Sequence, residues 1–256
     1  MAYTDIDKPS DYFNTLLYTG DDADRSFTGV GFQPDLTWIK ARNNTTWHLL
    51  YDAVRTAGTG KELHSNSTQT EGASNSSLYG YLSSFDSDGF STVNGSNATD
   101  ALNQSGKTYA AWNWKAGTSF TNDASATGIG SIDSSGSVNQ DAGFSICSYT
   151  GAGGVITVKH GLNTVPSVII TKNLADANHW GVYHHKNTTA PQTDFLYLSD
   201  TRATTDDATM WNDTAPTSSI FTAGDHSSSN RSGDAMIAYC FAEKQGYSKF
   251  GSYTGN

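Results

Sequence analysis

Apolar residues along this chain come in short runs. Leu36–Lys40 (LTWIK), Val155–His160 (VITVKH), Ser167–Lys172 (SVIITK), Trp180–His185 (WGVYHH) and Ala235–Phe241 (AMIAYCF) are β-branched or aromatic stretches bounded by turn residues. Such runs predict strands. LTWIK and SVIITK are apolar at successive positions, as in a strand buried on both faces. Asp86-Ser87-Asp88-Gly89-Phe90 has the residues of a hairpin tip, where Asp-Gly supplies a positive φ. Gly151-Ala152-Gly153-Gly154, just ahead of VITVKH, reads as a tight hairpin. Helix signals are scarce: Leu49–Ala57 and Ala242–Tyr247 predict one or two turns each. The segments Gly72–Ser77 and Asp225–Asn230 read as loops.

The pattern repeats. Tyr18-Thr19-Gly20 recurs as Tyr149-Thr150-Gly151 and again as Tyr253-Thr254-Gly255, with Phe13 and Phe144 five residues ahead of the first two copies. LTWIK and SVIITK each end in a lysine, Lys40 and Lys172, and each is followed by an aromatic run, WHLLY (Trp47–Tyr51) and WGVY (Trp180–Tyr183). Each copy closes on Asn-x-Ser-Gly, at Asn103–Gly106 and Asn230–Gly233, before an aromatic-rich stretch. This alignment pairs Trp47 with Trp180, Trp112 with Tyr239 and Trp114 with Phe241. Recurrence in one order predicts duplicated units. The divisions are an N-terminal arm (1–12), a first unit (13–115), a Gly/Ser-rich linker (116–142), a second unit (143–245), and a tail or the opening of a third unit (246–256). Ile129, Ile132 and Val138 punctuate the linker, as a short strand or an ordered crossover would. The expected fold class is all-β: two tandem antiparallel β-sandwich, jelly-roll-like modules.

Composition narrows the function classes. The chain has 256 residues, and Ser, Thr, Asn and Gly supply roughly two in five. Its 6 Trp, 13 Tyr and 11 Phe argue for packed cores rather than disorder. A formal net charge of −10 offers no footprint for a phosphate backbone, so nucleic acid is not an expected partner. No apolar run approaches a membrane span, and the opening residues lack the pattern of a secretory signal. Cys147 and Cys240, in the first and last strands of the second unit, read as a reduced, buried pair.

No motif passes its structural test for catalysis. Thr56–Lys61 resembles the tail of a phosphate loop, but Arg55 and Glu62 stand where Gly and Ser/Thr are required. There is no G-x-S-x-G elbow, and nothing singles out a carboxylate pair. His179, His184 and His185 alternate along a strand and do not converge on one metal. Asp86-x-Asp88 and the Asp21, Asp22, Asp24 cluster lack the later ligands of a calcium loop. The expectation is therefore no catalytic, cofactor or metal residues, with a structural calcium ion left open. Trp47, Tyr51, Trp180 and Tyr183 would contact a glycan if exposed, against the competing reading that they pack the core.

Long stretches of the chain resemble virion structural proteins of marine tailed phages, of the cyanophage and pelagiphage kind. IDKPSDYFNTLLYTG, GVGFQPDLTWIKARN, LLYDAVR, FDSDGF and YAAWNWKAG carry this in the first half. AGFSICSYTG, KHGLNTVPSVIITK, HWGVYHH, WNDTAPTSSIF and SGDAMIAYCFAEKQGYSKFGSYTGN carry it in the second. The resemblance implies a tail-fibre or other appendage component, with a head or collar fibre as the alternative placement. It implies assembly in the host cytoplasm, other virion proteins as partners, and a homo-oligomer with a trimer favoured. It carries no catalytic residues. Tyr3, Ile6 and Tyr12 in the arm are the expected docking contacts to the particle. A host-surface glycan adhesin is the rival reading, and a glycan depolymerase a more distant one.

Overall fold

The protein is seen in a computed structural model that describes residues 4, 6–97 and 102–255. Two compact units divide it: residues 8–117, and residues 118–255 together with Thr4, Ile6 and Asp7. In the N-terminal unit a 3₁₀ turn (Pro9–Asp11) leads into β1 (Phe13–Thr19), β2 (Arg25–Thr28), β3 (Leu36–Ala41), β4 (Leu49–Asp52), β5 (Leu63–His64), the one-turn helix α1 (Ser76–Tyr79), β6 (Tyr81–Asp86), β7 (Gly89–Val93) and β8 (Thr108–Trp114). A five-stranded sheet runs β1-β8-β3-β4-β5 and a three-stranded sheet β2-β7-β6. Tyr18, Ile39, Tyr51 and Tyr109 from the first sheet meet Phe27, Leu82 and Phe90 from the second in one core. This is a sandwich-like, all-β unit with antiparallel pairing.

The C-terminal unit contains β9 (Thr118–Asn122), α2 (Ala124–Thr127), β10 (Ser134–Asn139), β11 (Phe144–Thr150), β12 (Ile156–Lys159), β13 (Val168–Asn173), β14 (Gly181–His184), β15 (Asp194–Tyr197), β16 (Thr205–Asp206), α3 (Ala208–Trp211), β17 (Ile220–Ala223), α4 (Ser227–Asn230) and β18 (Ala235–Phe241). Its eight-stranded sheet runs β16-β15-β14-β13-β18-β11-β10-β9, with β12 and β17 paired separately. The series β11-β18-β13-β14-β15 therefore repeats β1-β8-β3-β4-β5, and β12-β17 repeats β2-β7. Register repeats as well: Leu16 and Cys147 sit opposite Ala111 and Ala238, and Ile39 and Thr171 lie opposite the same two alanines.

A clasp closes each unit, where β1 meets β8 and where β11 meets β18. The buried Tyr18 hydroxyl donates to the Leu102 carbonyl at 2.6 Å, and Tyr149 donates to Ser229 at 2.6 Å. Gly20 N–H donates to Lys107 O, while Gly106 N–H donates back to Gly20 O. Gly151, Asp234 and Gly233 repeat both bonds. Asn103 and Asn230 then tie down the turn that follows the first strand. Asn103 Nδ2 donates to Asp21 Oδ1 and Ala23 O; Asn230 Nδ2 donates to Gly154 O and Gly224 O. A Cβ on Gly20 would lie 2.1 Å from Gln104 O, and one on Gly151 2.1 Å from Arg231 O. The two chain segments approach this closely only because both positions are glycine. The shared Tyr-Thr-Gly and Asn-x-Ser-Gly motifs are thus the two halves of one contact.

Several sequence expectations change. The segment 116–142 holds β9, α2 and β10, which extend the sheet beside β11. Its Ser and Gly residues suit close strand pairing, since a Cβ on Gly136 would lie 1.9 Å from Ile146 O. Gly151–Gly154 does not make a hairpin, because β12 pairs with β17 rather than returning along β11. Leu49–Ala57 forms β4 and a bend, since inward-facing Leu49 and Tyr51 are claimed by pairing with β3. Ala242–Tyr247 makes turns closed by the Lys244–Ser248 bridge. Two of the helical turns, α1 and α4, begin in the expected loops instead, where Asn75 and His226 cap them. Strand register also corrects the tryptophan alignment by one residue: Leu49 corresponds to Gly181, so Trp47 matches His179 and His48 matches Trp180. The Trp112/Tyr239 and Trp114/Phe241 pairs hold. Cys147 and Cys240 are buried free thiols on adjacent strands. Burial pushes the Cys147 thiol up to about 12.

The clasp sets the expected mutational response. Tyr18→Phe and Tyr149→Phe each leave a carbonyl without its donor and should cost about 1–3 kcal/mol. Gly20→Ala and Gly151→Ala must push two backbones apart and should cost as much or more, about 3 kcal/mol. Urea unfolding of the four variants measures both, and a loss under about 0.5 kcal/mol in the glycine variants would show that the clasp yields easily.

Candidate functional site

The aromatic residues expected to meet a glycan do not form a platform. Tyr51 and Trp180 are 0% exposed and Tyr183 is 5% exposed. Tyr51 and Tyr183 occupy matching inward positions of β4 and β14, and Trp180 stacks on Tyr239 at 6.4 Å. Trp47 is half-buried against the N-terminal core. Of the docking contacts, Ile6 is buried. Tyr12 is half-buried and its carbonyl accepts from Lys115 N–H. Tyr3 lies outside the described residues.

Register points to a different place. The pairing of Gly181 with Tyr197 sets His179, just ahead of β14, against the Tyr197 ring at 4.5 Å. The Arg202 guanidinium lies 4.7 Å from the same ring, which screens its apolar surface. Arg202 also bonds Asp200 at 2.5 Å and donates to His179 Nε2 at 2.8 Å. His179 is therefore a neutral imidazole with its proton on Nδ1, facing Ser199 Oγ at 3.2 Å. On the other side, His226 Nδ1 accepts from Ser228 N–H as the cap of α4, which leaves its Nε2–H aimed at Tyr197 Oη at 3.5 Å.

The electrostatics follow from these contacts. Burial, then the Arg202 charge, lowers the His179 pKa; Asp200 opposes them. Burial lowers His226. Burial raises the Tyr197 phenol, while the Arg202 hydrogen bond lowers Asp200. The cluster offers neutral imidazoles, a phenol and a guanidinium–carboxylate pair at a half-exposed surface. Those groups suit hydrogen bonding to a polar ligand. A general acid needs a carboxyl held protonated, and Asp200 is pulled the other way.

The matching place in the N-terminal unit has its two rings exchanged. Trp47 stacks on His64 at 4.7 Å, and His64 pairs opposite Leu49 as Tyr197 does opposite Gly181. His64 is 1% exposed. Its Nδ1 faces Gln69 Oε1 at 2.6 Å and its Nε2 faces Ser74 Oγ at 3.0 Å. Serine, imidazole and an orienting acceptor stand in the order of a nucleophile relay. The Ser74 amide, however, is turned onto Glu62 Oε1 at 2.8 Å and is unavailable to a developing oxyanion. Burial raises the Glu62 carboxyl and lowers His64. Arg55 links Asp52 to Glu71 nearby, so this network pins the loop between β5 and α1 and the loop before it.

A shallow concavity of about 420 Å³ lies among Asn122, Asp123, Asp133, Ser135 and Tyr149 in the C-terminal unit. Both of its carboxylates are spent on α2: Asp123 accepts from Ala126 N–H and Ser125 Oγ, and Asp133 from Ala124 N–H. The calcium-like aspartates are similarly engaged. Asp88 accepts from Gly29 and Gly31 N–H, and Asp22 and Asp24 accept from Ser105 and Asn94 N–H. Among the described residues no group of three or more His, Cys, Asp or Glu is placed to hold a metal ion. Tyr197, Asp200, Arg202 and His226 escaped the sequence reading, because no motif links them.

Two titrations check these assignments. Removing the guanidinium in Arg202→Ala should raise the His179 pKa, because Asp200 then acts on the ring without opposition; NMR titration of the imidazole reads it. His160 is buried, with Nδ1 accepting from Leu162 N–H and Nε2–H facing Thr217 O, and burial brings its pKa down from 6.5 to about 4. The unfolded imidazole takes a proton near 6.5, whereas the folded one resists until about 4. Stability should therefore fall as pH drops through that interval. Urea unfolding from pH 7 to pH 4 should show a shallower loss in His160→Gln.

No curated protein and no solved structure matches the chain. A family profile described as "Domain of unknown function (DUF7483)" matches residues 8–256, a span that takes in both sandwich-like units, and the chain belongs to that family.

Proposed function

We propose that this protein is a structural component of a tailed-phage virion, a tail-fibre or other appendage protein that extends repeated β-modules from the particle. In this reading each unit is a jelly-roll-like sandwich descended from one duplicated ancestor. The chain forms a homo-oligomer, with a trimer favoured, alongside other virion proteins. The observation that carries the reading is the repeated clasp with its repeated strand order. A module that is copied with its closing contact intact, and whose aspartates and histidines hold loops and helix caps, is organised for architecture. The phage-protein resemblance of the sequence supplies the placement on a virion. Low charge and abundant Ser, Thr and Asn suit a β-module that works in the open medium.

A host-glycan contact is the second reading, and it draws on the His179–Tyr197–Arg202 cluster. Planar polar groups around a half-exposed ring are the usual furniture of a sugar site, although here Arg202 and His179 already lie on that ring.

Mass spectrometry and cryo-EM of purified particles of the encoding phage test the main reading. The chain should be present in a fixed ratio to the known particle proteins, with density projecting from the surface. Its absence from particles would remove the proposal.

A further inference from the structure

The two units differ at one edge. In the C-terminal unit β11 is covered by β10, with Ser135 opposite Ser148, Ser137 opposite Ile146 and Asn139 opposite Phe144, and β9 covers β10 in turn. In the N-terminal unit the matching strand, β1, ends its sheet, and among the described residues it pairs with β8 alone. Exposure differs as well: Ile146 is 0% exposed, whereas its counterpart Thr15 is exposed, and Leu17 is 58% exposed.

The hydrogen-bonding side of this edge follows from alternation along an antiparallel strand. Tyr12 O accepts from Lys115 N–H, and Gly20 N–H donates to Lys107 O, so the even-numbered residues between them turn their backbone groups toward β8. Phe13, Thr15, Leu17 and Thr19 turn theirs outward. Two of those outward groups are occupied locally: Thr15 N–H donates to Asn14 Oδ1, and Arg25 donates to Thr19 O. Among the described residues no strand lies beside the Leu17 N–H and C=O, the Thr15 C=O or the Thr19 N–H, and all three residues are exposed. A seven-residue edge with an exposed leucine at its centre is a ready template for strand addition.

We infer that the free edge of β1 is a docking site for a Ser/Thr/Gly-rich antiparallel β-hairpin of the β9–β10 kind, presented by a neighbouring repeat unit. The covered edge of β11 states the chemistry of the occupant. Its first strand bonds Leu17 and Thr15 as Ser135 and Ser137 bond Ser148 and Ile146, and it carries a glycine opposite Leu16, as Gly136 stands opposite Cys147. A small residue there is needed, because backbone atoms of the partner strand close in at that point. This inference stands on strand pairing alone and is independent of the virion reading.

The test uses the full chain and a synthetic peptide of residues 116–142, which spans β9 and β10. Hydrogen exchange of the Leu17 and Thr19 amides should slow at least tenfold at saturating peptide. Leu17→Pro removes the outward N–H without touching a β8 bond, and should weaken peptide binding at least tenfold while the unfolding curve stays that of a folded protein. Should that variant not fold, Thr19→Pro carries the same test, since its N–H faces the same side. Unchanged exchange at millimolar peptide, or equal binding by a folded proline variant, would overturn the inference. Protection of the same amides by raising protein concentration alone would also overturn it, in favour of a second copy as the occupant.

Discussion

Each unit depends on joining its first strand to its last. Those strands are about ninety residues apart in sequence, so their pairing closes a long loop and its entropy must be recovered locally. The recovery is concentrated at one end of the pair. A buried tyrosine hydroxyl satisfies a carbonyl that has left the ladder, two glycines let the backbones approach, and an asparagine amide holds the outgoing turn. Around this contact the inner faces of two sheets fill with aromatic and aliphatic side chains, Tyr18 stacking on Tyr109 at 4.9 Å in one unit. The middle strands, β3 and β4 or β13 and β14, then add outward from the last strand in fixed register.

The polar residues mostly serve that arrangement. Asp88 holds the turn between β2 and β3, Asp123, Asp133 and Asp207 fix short helical turns, and His226 caps another. Lys40 and Lys172 end matching strands and donate to carbonyls of the turns that follow. Burial of Lys172 brings its pKa down to about 8. The shift has its cause in burial within the packed unit. The His179 cluster differs by being half-exposed and by joining groups from a strand, the loops before β14 and after β15, and a helix cap.

The two units differ where they meet solvent and share the contact that closes them. Where one has a tryptophan over a buried histidine, the other has a histidine beside a tyrosine. Where β11 is covered by β10 and β9, the outward groups of β1 that have a partner among the described residues meet Asn14 and Arg25. A fold that tolerates such exchange at its rim offers different surfaces on one frame.

Strand content and the recurrence of Tyr-Thr-Gly and Asn-x-Ser-Gly were legible in the residue string. Alternation, turn chemistry and recurring Tyr-Thr-Gly and Asn-x-Ser-Gly are local signals, and the physics behind them acts over a few residues. Pairing partners were not legible. Ser134–Asn139 reads as linker because Ser and Gly have weak strand preference, and it becomes a strand only against β11, whose close approach demands small side chains. The tryptophan alignment failed by one residue because similar aromatic runs hide a register shift that backbone pairing alone resolves. The exposure of an aromatic, and the meeting of His179, Tyr197, Arg202 and His226, depend on which strands lie side by side. Only the folded sheet settles that, since burial belongs to neighbours distant in the chain.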